Sequence, residues 1–319
     1  MNDAVEVLCA GIIVADHLCT PVTHVPAPGE LVTADGMLLT IGGCAANTVA
    51  DLARIGVRAA VVGRVGADVF GRVVTDLLRE AGVDVSALTA STTAATSQTL
   101  IVNVRGQDRR FIHSFGANAE FAAADVPRGL LEHARALYVG GYLVMPSLHA
   151  EELAPVFAAA RARGVLTVLD VVVPGPGDYV GRLRPLLPHV DVFLPNHDEA
   201  ALITGEHDPV RQAEFFRSLG CGTVVITMGG AGCVLVEAGR RLRAGVFAVP
   251  LVDATGGGDA FDAGYIDARL RGLGPEDCLR VASALGASCV RAIGTTPGVF
   301  TRAECDAFLR THTLAIEAI

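Results

Sequence analysis

Six apolar runs of strand length, separated by stretches of helical pattern, restrict this chain more than any other feature. They are VEVLCAGIIV (5–14), AAVVGRVG (59–66), ALYVGG (136–141), VLTVLDVVV (165–173), VDVFLPN (190–196) and TVVITMG (223–229). A sheet with one wet face would alternate apolar and polar residues, so near-continuous runs predict strands buried on both faces. Helical patterns over 47–55, 71–82, 151–164, from 197, and over 208–220 fall between or after them. This βα spacing predicts an α/β fold: a central, mostly parallel sheet flanked by helices on both faces. The first strand is expected to end near Asp16. Two paired strands are expected over 233–239 and 240–249, with strand pattern running on before the loop at 252–255. The last two helices are expected over 259–272 and 275–292.

Two segments do not fit the βα rhythm. Residues 20–40 contain Pro21, Pro26, Pro28 and Gly29, and residues 92–115 alternate around a polar turn. Together they predict a small β lid formed from two insertions, about 17–40 and 92–115. With no repeat, low-complexity tract or linker, residues 1–319 read as a single domain carrying that lid.

Composition removes several classes of function. Hydrophobic residues make up 51% and mean hydropathy is +0.46. The uncharged stretch 220–236 is interrupted by glycines and too short to span a bilayer comfortably, so no membrane partner is expected. The N-terminus carries Asp3 and Glu6 and no basic residue, and reads as the first strand rather than a signal peptide. Net charge is −9, with no basic tract and no Trp, which argues against a nucleic-acid partner. The eight cysteines include no CxxC pair, which fits free thiols in a reducing, cytoplasmic setting. All 25 basic residues are Arg. Without Lys there is no Walker A loop and no Schiff-base lysine in this chain. Any phosphate must be held by backbone amides, Arg or a metal.

VDATGGGDAFDAGYI (252–266) is the sharpest local signal. Three glycines precede a helix pattern with apolar residues at 261, 265, 266 and 270. A helix N-terminus offers unpaired N–H groups and a positive dipole end, and glycines let an anion approach closely. Asp259 sits in the first turn, where the dipole favours its ionised form. A base beside an anion hole suits activation of a hydroxyl that attacks a phosphoryl group. The alternative is a glycine-rich turn with Asp259 as an ordinary helix N-terminal residue.

The whole chain resembles the ribokinase-like (PfkB) family of sugar and nucleoside kinases. GGCAANTVADLARIG (42–56) is similar to the family's N-terminal signature, and GRVGADVFG (63–71) to the segment after it. DATGGGDAF (253–261) resembles its C-terminal signature, with Ala254 in place of Thr and Gly257 in place of Ala. PNHDE (195–199) and TMGGAG (227–232) resemble its N-x-x-E and T-x-G-x-x-G elements.

The resemblance implies roles. Asp259 would be the general base, and the amides of Gly256, Gly257 and Gly258 would hold the transferring phosphoryl. Asp16, Gly42, Gly43 and Asn47 would bind the sugar, with Asn118 in FGANAEF (115–121) a further ligand. Asn196 and Glu199 would position Mg²⁺ through water, together with the ATP phosphates. Thr227, Gly229, Gly232 and the helix near Ser283 would line the nucleotide. Asp253 and Thr255 would contribute to a K⁺ site. A homodimer is implied as well, since lid strands in relatives pair between subunits.

Departures from the pattern limit the substrate. Ribokinases carry a Glu in the strand after the lid; YVGGYLVMP (138–146) has none. The Tyr-x-Arg pattern of ketodeoxygluconate kinases is missing from RRFIHSFGAN. The aromatics that could stack on a base are Phe111, Phe115 and Tyr142. Arg109 and Arg110 could close over a phosphate or sit on a solvated turn. His17, His113 and His197 are too scattered for a metal site, and Cys44, inside the substrate signature, reads as inert packing, with a modifiable thiol the alternative. The leading reading is an ATP-dependent sugar kinase acting on a pentose or ketohexose. A nucleoside kinase on the same scaffold and a catalytically silent sugar sensor are the alternatives.

Overall fold

The computed structural model describes residues 5–107 and 110–319. Two sheets organise it. The larger has ten strands in the order β14-β13-β12-β11-β10-β9-β8-β1-β4-β5. In chain order these are β1 (Val7–Gly11), β4 (Ala59–Gly66), β5 (Asp84–Ser91), β8 (Ala136–Gly140), β9 (Leu166–Leu169), β10 (Val192–Phe193), β11 (Thr223–Thr227), β12 (Cys233–Glu237), β13 (Arg240–Ala244) and β14 (Ile316–Ala318). From β5 across to β11 every pairing is parallel; the last three pairings are antiparallel.

Period-two alternation along the buried strands explains why they are apolar throughout. Val7 and Cys9 point into a core built with α1 (Cys44–Arg54), α2 (Val69–Glu80), α8 (Gly257–Leu270) and α9 (Pro275–Cys289). Leu8 and Ala10 point to the opposite face, into a core with α4 (Ala150–Ala162), α6 (His197–Thr204) and α7 (Pro209–Ser218). Two short helices, α3 (Arg128–Leu131) and α5 (Val180–Leu183), join that second layer. A final helix, α10 (Arg302–Thr311), is tied to α8 by a two-bond ion pair between Arg302 and the buried Asp267. Among the described residues no helix is long and apolar enough to cross a membrane.

The smaller sheet has the order β3-β2-β6-β7: β3 (Met37–Gly42), β2 (Val14–Cys19), β6 (Gln98–Val102) and β7 (Arg110–Ser114). It is the lid sheet expected from the two insertions, with one boundary moved. The run 5–14 is not one strand. β1 ends at Gly11, whose added Cβ would meet the Gly140 carbonyl oxygen at 2.1 Å, and β2 starts at Val14 in the other sheet. Asp16 therefore lies on the lid, not at the end of the first central strand.

Other expectations also need correction. No strand forms over 246–250, and the edge strand β5, helix α10 and strand β14 were not expected. β5 mixes half-buried and exposed residues, so its pattern is weak. Helix α10 did leave a signal: Thr301 and Glu304 form a reciprocal capping box, the T-x-x-E signature of a helix start.

Candidate active site

The chain passes from β1 to β4 and β5 on one side, then returns to β8 on the other side of β1. In open parallel sheets such a switch point leaves a crevice beyond the strand C-termini. Several candidate site residues gather at these C-terminal strand ends. Helix α1 brings Cys44 and Asn47, one turn apart on one face. β9 ends at Leu169, immediately before Asp170, and α8 supplies Asp259 in its first turn. One ligand atom each from Cys44, Asp170 and Asp259 lies within 4.8 Å of the others.

Asn47 Nδ2 donates to Asp259 Oδ2 at 2.8 Å, and the Thr48 hydroxyl donates to the Asp259 carbonyl at 3.4 Å. Burial pushes the Asp259 carboxyl up, with Asn47 and then Cys44 opposing. That net direction reverses the expectation drawn from the helix dipole alone. Asp259 nevertheless keeps some accessible surface, as a group that must meet a substrate requires.

The three glycines are not equivalent. Gly256 caps α8 in the left-handed conformation (φ 78°), and an added Cβ would meet the Thr295 carbonyl oxygen at 2.5 Å. Gly257 packs against Val290. A Cβ on Gly258 would meet nothing within 4 Å, so that face is open. The amides of Gly258 and Asp259 have no helical acceptor, because the residues four positions earlier precede the helix. The Gly258 and Asp259 N–H groups are thus left as donors beside a carboxylate, while the Gly257 N–H donates to the Ala254 carbonyl at 3.4 Å.

Asp170, Tyr138 and Asp262 are the residues that the sequence reading missed. The Tyr138 hydroxyl lies 3.0 Å from Asp262 Oδ2 and 3.4 Å from Asp170 Oδ2, and all three side chains are buried. Burial, and then the neighbouring Asp259 charge, raises Asp170 to about 7. Burial and the same acidic neighbours push Asp262 well up. The signal for Asp170 was available: a carboxylate interrupts an apolar run in VLTVLDVVV. The added Cβ of Gly140 would lie 2.8 Å from the Tyr138 hydroxyl and from Cys44 Cβ, so these two side chains occupy the space beside that strand end.

On the lid, Asp16 of β2 sits between Thr40 of β3 and Thr99 of β6, with His113 of β7 next in the row. Burial raises Asp16 to about 7; Thr99 partly offsets this, and the Asp259 charge adds to it. A Cβ at Gly42 would sit 2.0 Å from an Asp16 carboxylate oxygen, so any larger residue there would push that carboxylate aside. Gly43 (φ 90°) caps α1 against the Ile12 carbonyl.

Asn118 is placed differently from its expected role. It is fully buried, accepts from Ile13 N at 3.1 Å and donates to Ile13 O at 3.0 Å. Its amide holds the crossover from β1 into the lid, leaving little for a sugar. Tyr142 is likewise fully buried, with its hydroxyl on the Arg182 carbonyl, so it is no stacking platform.

Just beyond β10, Asn196 caps α6. Its side chain accepts from Glu199 N at 2.9 Å, while Glu199 Oε2 accepts from Asn196 N at 3.0 Å. Burial, followed by the Asp170 charge, pushes Glu199 well up. A parallel bridge sets Asn196 beside Thr227, whose strand leads into the turn with Gly229 and Gly232. Ser283 lies on α9 one turn before Gly286. Asp253 accepts from the Thr255 amide (2.9 Å), the Thr255 hydroxyl (2.6 Å) and the Gly294 amide (3.1 Å), which fixes the loop behind the glycines.

Of the remaining candidates, Arg110 bonds Gln107 at 2.5 Å on the exposed lid turn, and Arg109 lies outside the described residues. His17, His113 and His197 bond Gln98, Thr99 and Gln212 respectively, and do not converge. All eight cysteines are free thiols, buried except for the half-buried Cys44.

Comparison with known proteins agrees with this architecture. A family model described as pfkB family carbohydrate kinase matches residues 5–302. A ribokinase of Haemophilus influenzae is 27% identical over 304 residues, covering 94% of this chain and 96% of that one. A 2-dehydro-3-deoxygluconokinase of Bacillus subtilis is 28% identical over 281 residues, covering 84% and 86%. The fold matches a structure of Arabidopsis thaliana ribokinase complexed with ribose and ATP. The TM-score is 0.82 at 24% identity, covering 97% of this chain and all of that one.

Proposed function

This chain belongs to the pfkB family of carbohydrate kinases, and from that premise we propose that it transfers the γ-phosphoryl group of ATP to a hydroxyl of a pentose or ketohexose. The observation that carries the reading is Asp259 beside the open, glycine-built start of α8. An Asp259 oxygen takes the proton of the attacking hydroxyl. The sugar hydroxyl oxygen, freed of its proton, bonds to the γ-phosphorus while the bond from that phosphorus to the bridging oxygen of ADP breaks. The N–H groups of the 256–258 loop hold the transferring oxygens, the kind of positioned electrostatics that phosphoryl transfer relies on. Asn47 holds Asp259 through its nitrogen, and its amide oxygen, buried without a partner, is left for a sugar hydroxyl. Asp16, set on the lid over the crevice, accepts from a second hydroxyl, with room kept by Gly42 and Gly43. Lid placement lets sugar binding and closure proceed together.

Asn196, Thr227, Gly229, Gly232 and Ser283 serve the nucleotide in this reading. The donor set fits Mg²⁺: beyond burial, the Asp259 charge raises the proton affinity of Asp170, and Asp170 and Asp259 raise that of Glu199, so the group favours a cation. Asn196 and Glu199 would hold the ion through water, and when bound it would neutralise phosphate charge. Asp253 and Thr255 would support K⁺ behind the glycine loop. On the outer lid face Met37, Leu100 and Ile112 are exposed, which supports a homodimer formed through the lids.

The test is ADP release with Mg-ATP across pentoses, ketohexoses, sugar acids, sugar phosphates and nucleosides, with Asp259→Asn as control. A strong response to a pentose or ketohexose, lost in the variant, is the expected result. A response confined to nucleosides would replace this reading with a nucleoside kinase. Tight ATP and sugar binding without turnover would replace it with a sensor.

A further inference from the structure

Asp170 and Asp259 share the centre with a thiol, and this changes what else can bind there. Cys44 Sγ and a carboxylate oxygen from each aspartate lie within 4.8 Å of one another. Tetrahedral Zn²⁺ with sulfur and oxygen ligands needs donor separations of about 3.3–3.8 Å, so modest side-chain rotation closes the set. A second, independent feature points to a ligand. Asn47 is 3% exposed and its Oδ1 has no hydrogen-bond partner. The same amide reaches Asp259 Oδ2 at 2.8 Å, so the orphaned oxygen lies at the cluster. Cys44 and Asn47 lie one turn apart on the same face of α1. Behind them the Tyr138 hydroxyl, itself on Asp262, reaches Asp170 Oδ2, the kind of outer hydrogen bond that orients a metal-ligating carboxylate.

We propose that Cys44, Asp170, Asp259 and the Asn47 amide oxygen form a site for a thiophilic divalent cation, with Zn²⁺ the fitting ion, which shuts the centre when filled. A thiolate selects Zn²⁺ over Mg²⁺, which prefers oxygen ligands and retains its waters. Binding forms a sulfur–zinc bond and releases the thiol proton to solvent, so affinity rises with pH. The bound ion takes the oxygens of Asp259 and Asn47, and therefore competes with the sugar. The inhibitory half of the proposal rests on Asp259 being the base; the site itself does not.

The test starts from full-length protein stripped with a chelator and titrated with Co²⁺, which reports sulfur ligation by a thiolate-to-cobalt charge-transfer band in the near ultraviolet. The expected result is a band that saturates near one equivalent, disappears in Cys44→Ala and is displaced by Zn²⁺. No band, or an equal band in Cys44→Ala, overturns the site. Cys44→Val serves if the alanine variant does not fold. Competition against a chromogenic chelator should show Zn²⁺ affinity falling at least ten-fold in Asp170→Asn; unchanged affinity removes Asp170 from the ligand set and overturns the proposed geometry. In the kinase assay Zn²⁺ should inhibit, and excess chelator should restore turnover. Binding without inhibition would keep the site and overturn its shutting role. Turnover absent under every condition, with the cobalt band intact, would leave the site standing and count against the kinase reading alone.

Discussion

The two sheets of this protein are built to different rules. The central strands bury every residue of β1 and β8 and send alternate side chains into cores on opposite faces. The lid strand β7 leaves all five of its residues exposed, including Phe111 at 55% and Ile112 at 66%. One sheet is fixed by the hydrophobic effect acting on its own chain. The other has apolar surface that the described chain does not cover, which suits a surface that closes on substrate or on another copy. Acidic groups gather where the two meet: Asp16 from the lid, and Asp170, Asp259 and Asp262 from the central layers.

The largest effect expected is on that meeting place. Asp259→Asn should lower kcat by about 10²–10⁴-fold, the usual range for a general base, with the melting temperature nearly unchanged. Retained turnover would remove Asp259 as the base. Next comes the central sheet. Phe193 is fully buried and meets Phe216 edge-on at 4.9 Å, so Phe193→Ala should cost about 3–5 kcal/mol in denaturant unfolding. A loss near that of a surface change would break the contrast between the sheets.

The glycine loop divides on the same principle. Gly256→Ala forces a side chain into a left-handed position and into the Thr295 carbonyl, and should destabilise by about 2 kcal/mol or more. Gly258→Ala faces open space and should leave stability within about 0.5 kcal/mol, while turnover falls because the methyl group fills the phosphoryl position. Equal stability losses in both would mean that the third glycine serves packing alone.

A smaller and pH-dependent effect belongs to Asp51, fully buried on α1 with neither carboxylate oxygen paired. Burial pushes its carboxyl well up, with the Asp259 charge adding to this. The folded state then holds a proton that the unfolded chain releases near pH 4, about the free-Asp value. Stability is fully present below that pH and is lost as pH rises towards the folded value. Asp51→Asn keeps the shape without the ionisation. It should match the wild type at pH 4 and gain about 1–2 kcal/mol at pH 8. A pH-independent difference would show that Asp51 is paired in solution. The smallest effect is on the lid: Ile112→Asp should shift stability by less than about 0.5 kcal/mol yet separate a dimer in sedimentation. An unchanged oligomeric state would remove the lid face as the contact.

Much of the fold was legible because burial on two faces writes continuous apolar runs into a sequence. The runs at 59–66, 136–141 and 223–229 became β4, β8 and β11. The run at 5–14 misled because residues 5–11 and 14–19 are both largely buried, and burial alone does not mark where a chain leaves one sheet for another. That break is enforced by the contact of Gly11 with Gly140 and by Asn118 clasping Ile13, partners more than a hundred residues away.

The candidate site divides in the same way. Local sequence determined the glycine start of α8, the Asn196–Glu199 capping box and the placement of Asp259 in a first turn, because capping and turn chemistry act over a few residues. Only the tertiary structure put Asn47 on Asp259, 212 positions away, spent Asn118 on Ile13, and carried Asp170 and Cys44 to the same point. It also raised the proton affinity of Asp170 and Asp259, chiefly through burial. A proton equilibrium depends on burial and on every nearby charge, and those are set by how distant segments pack.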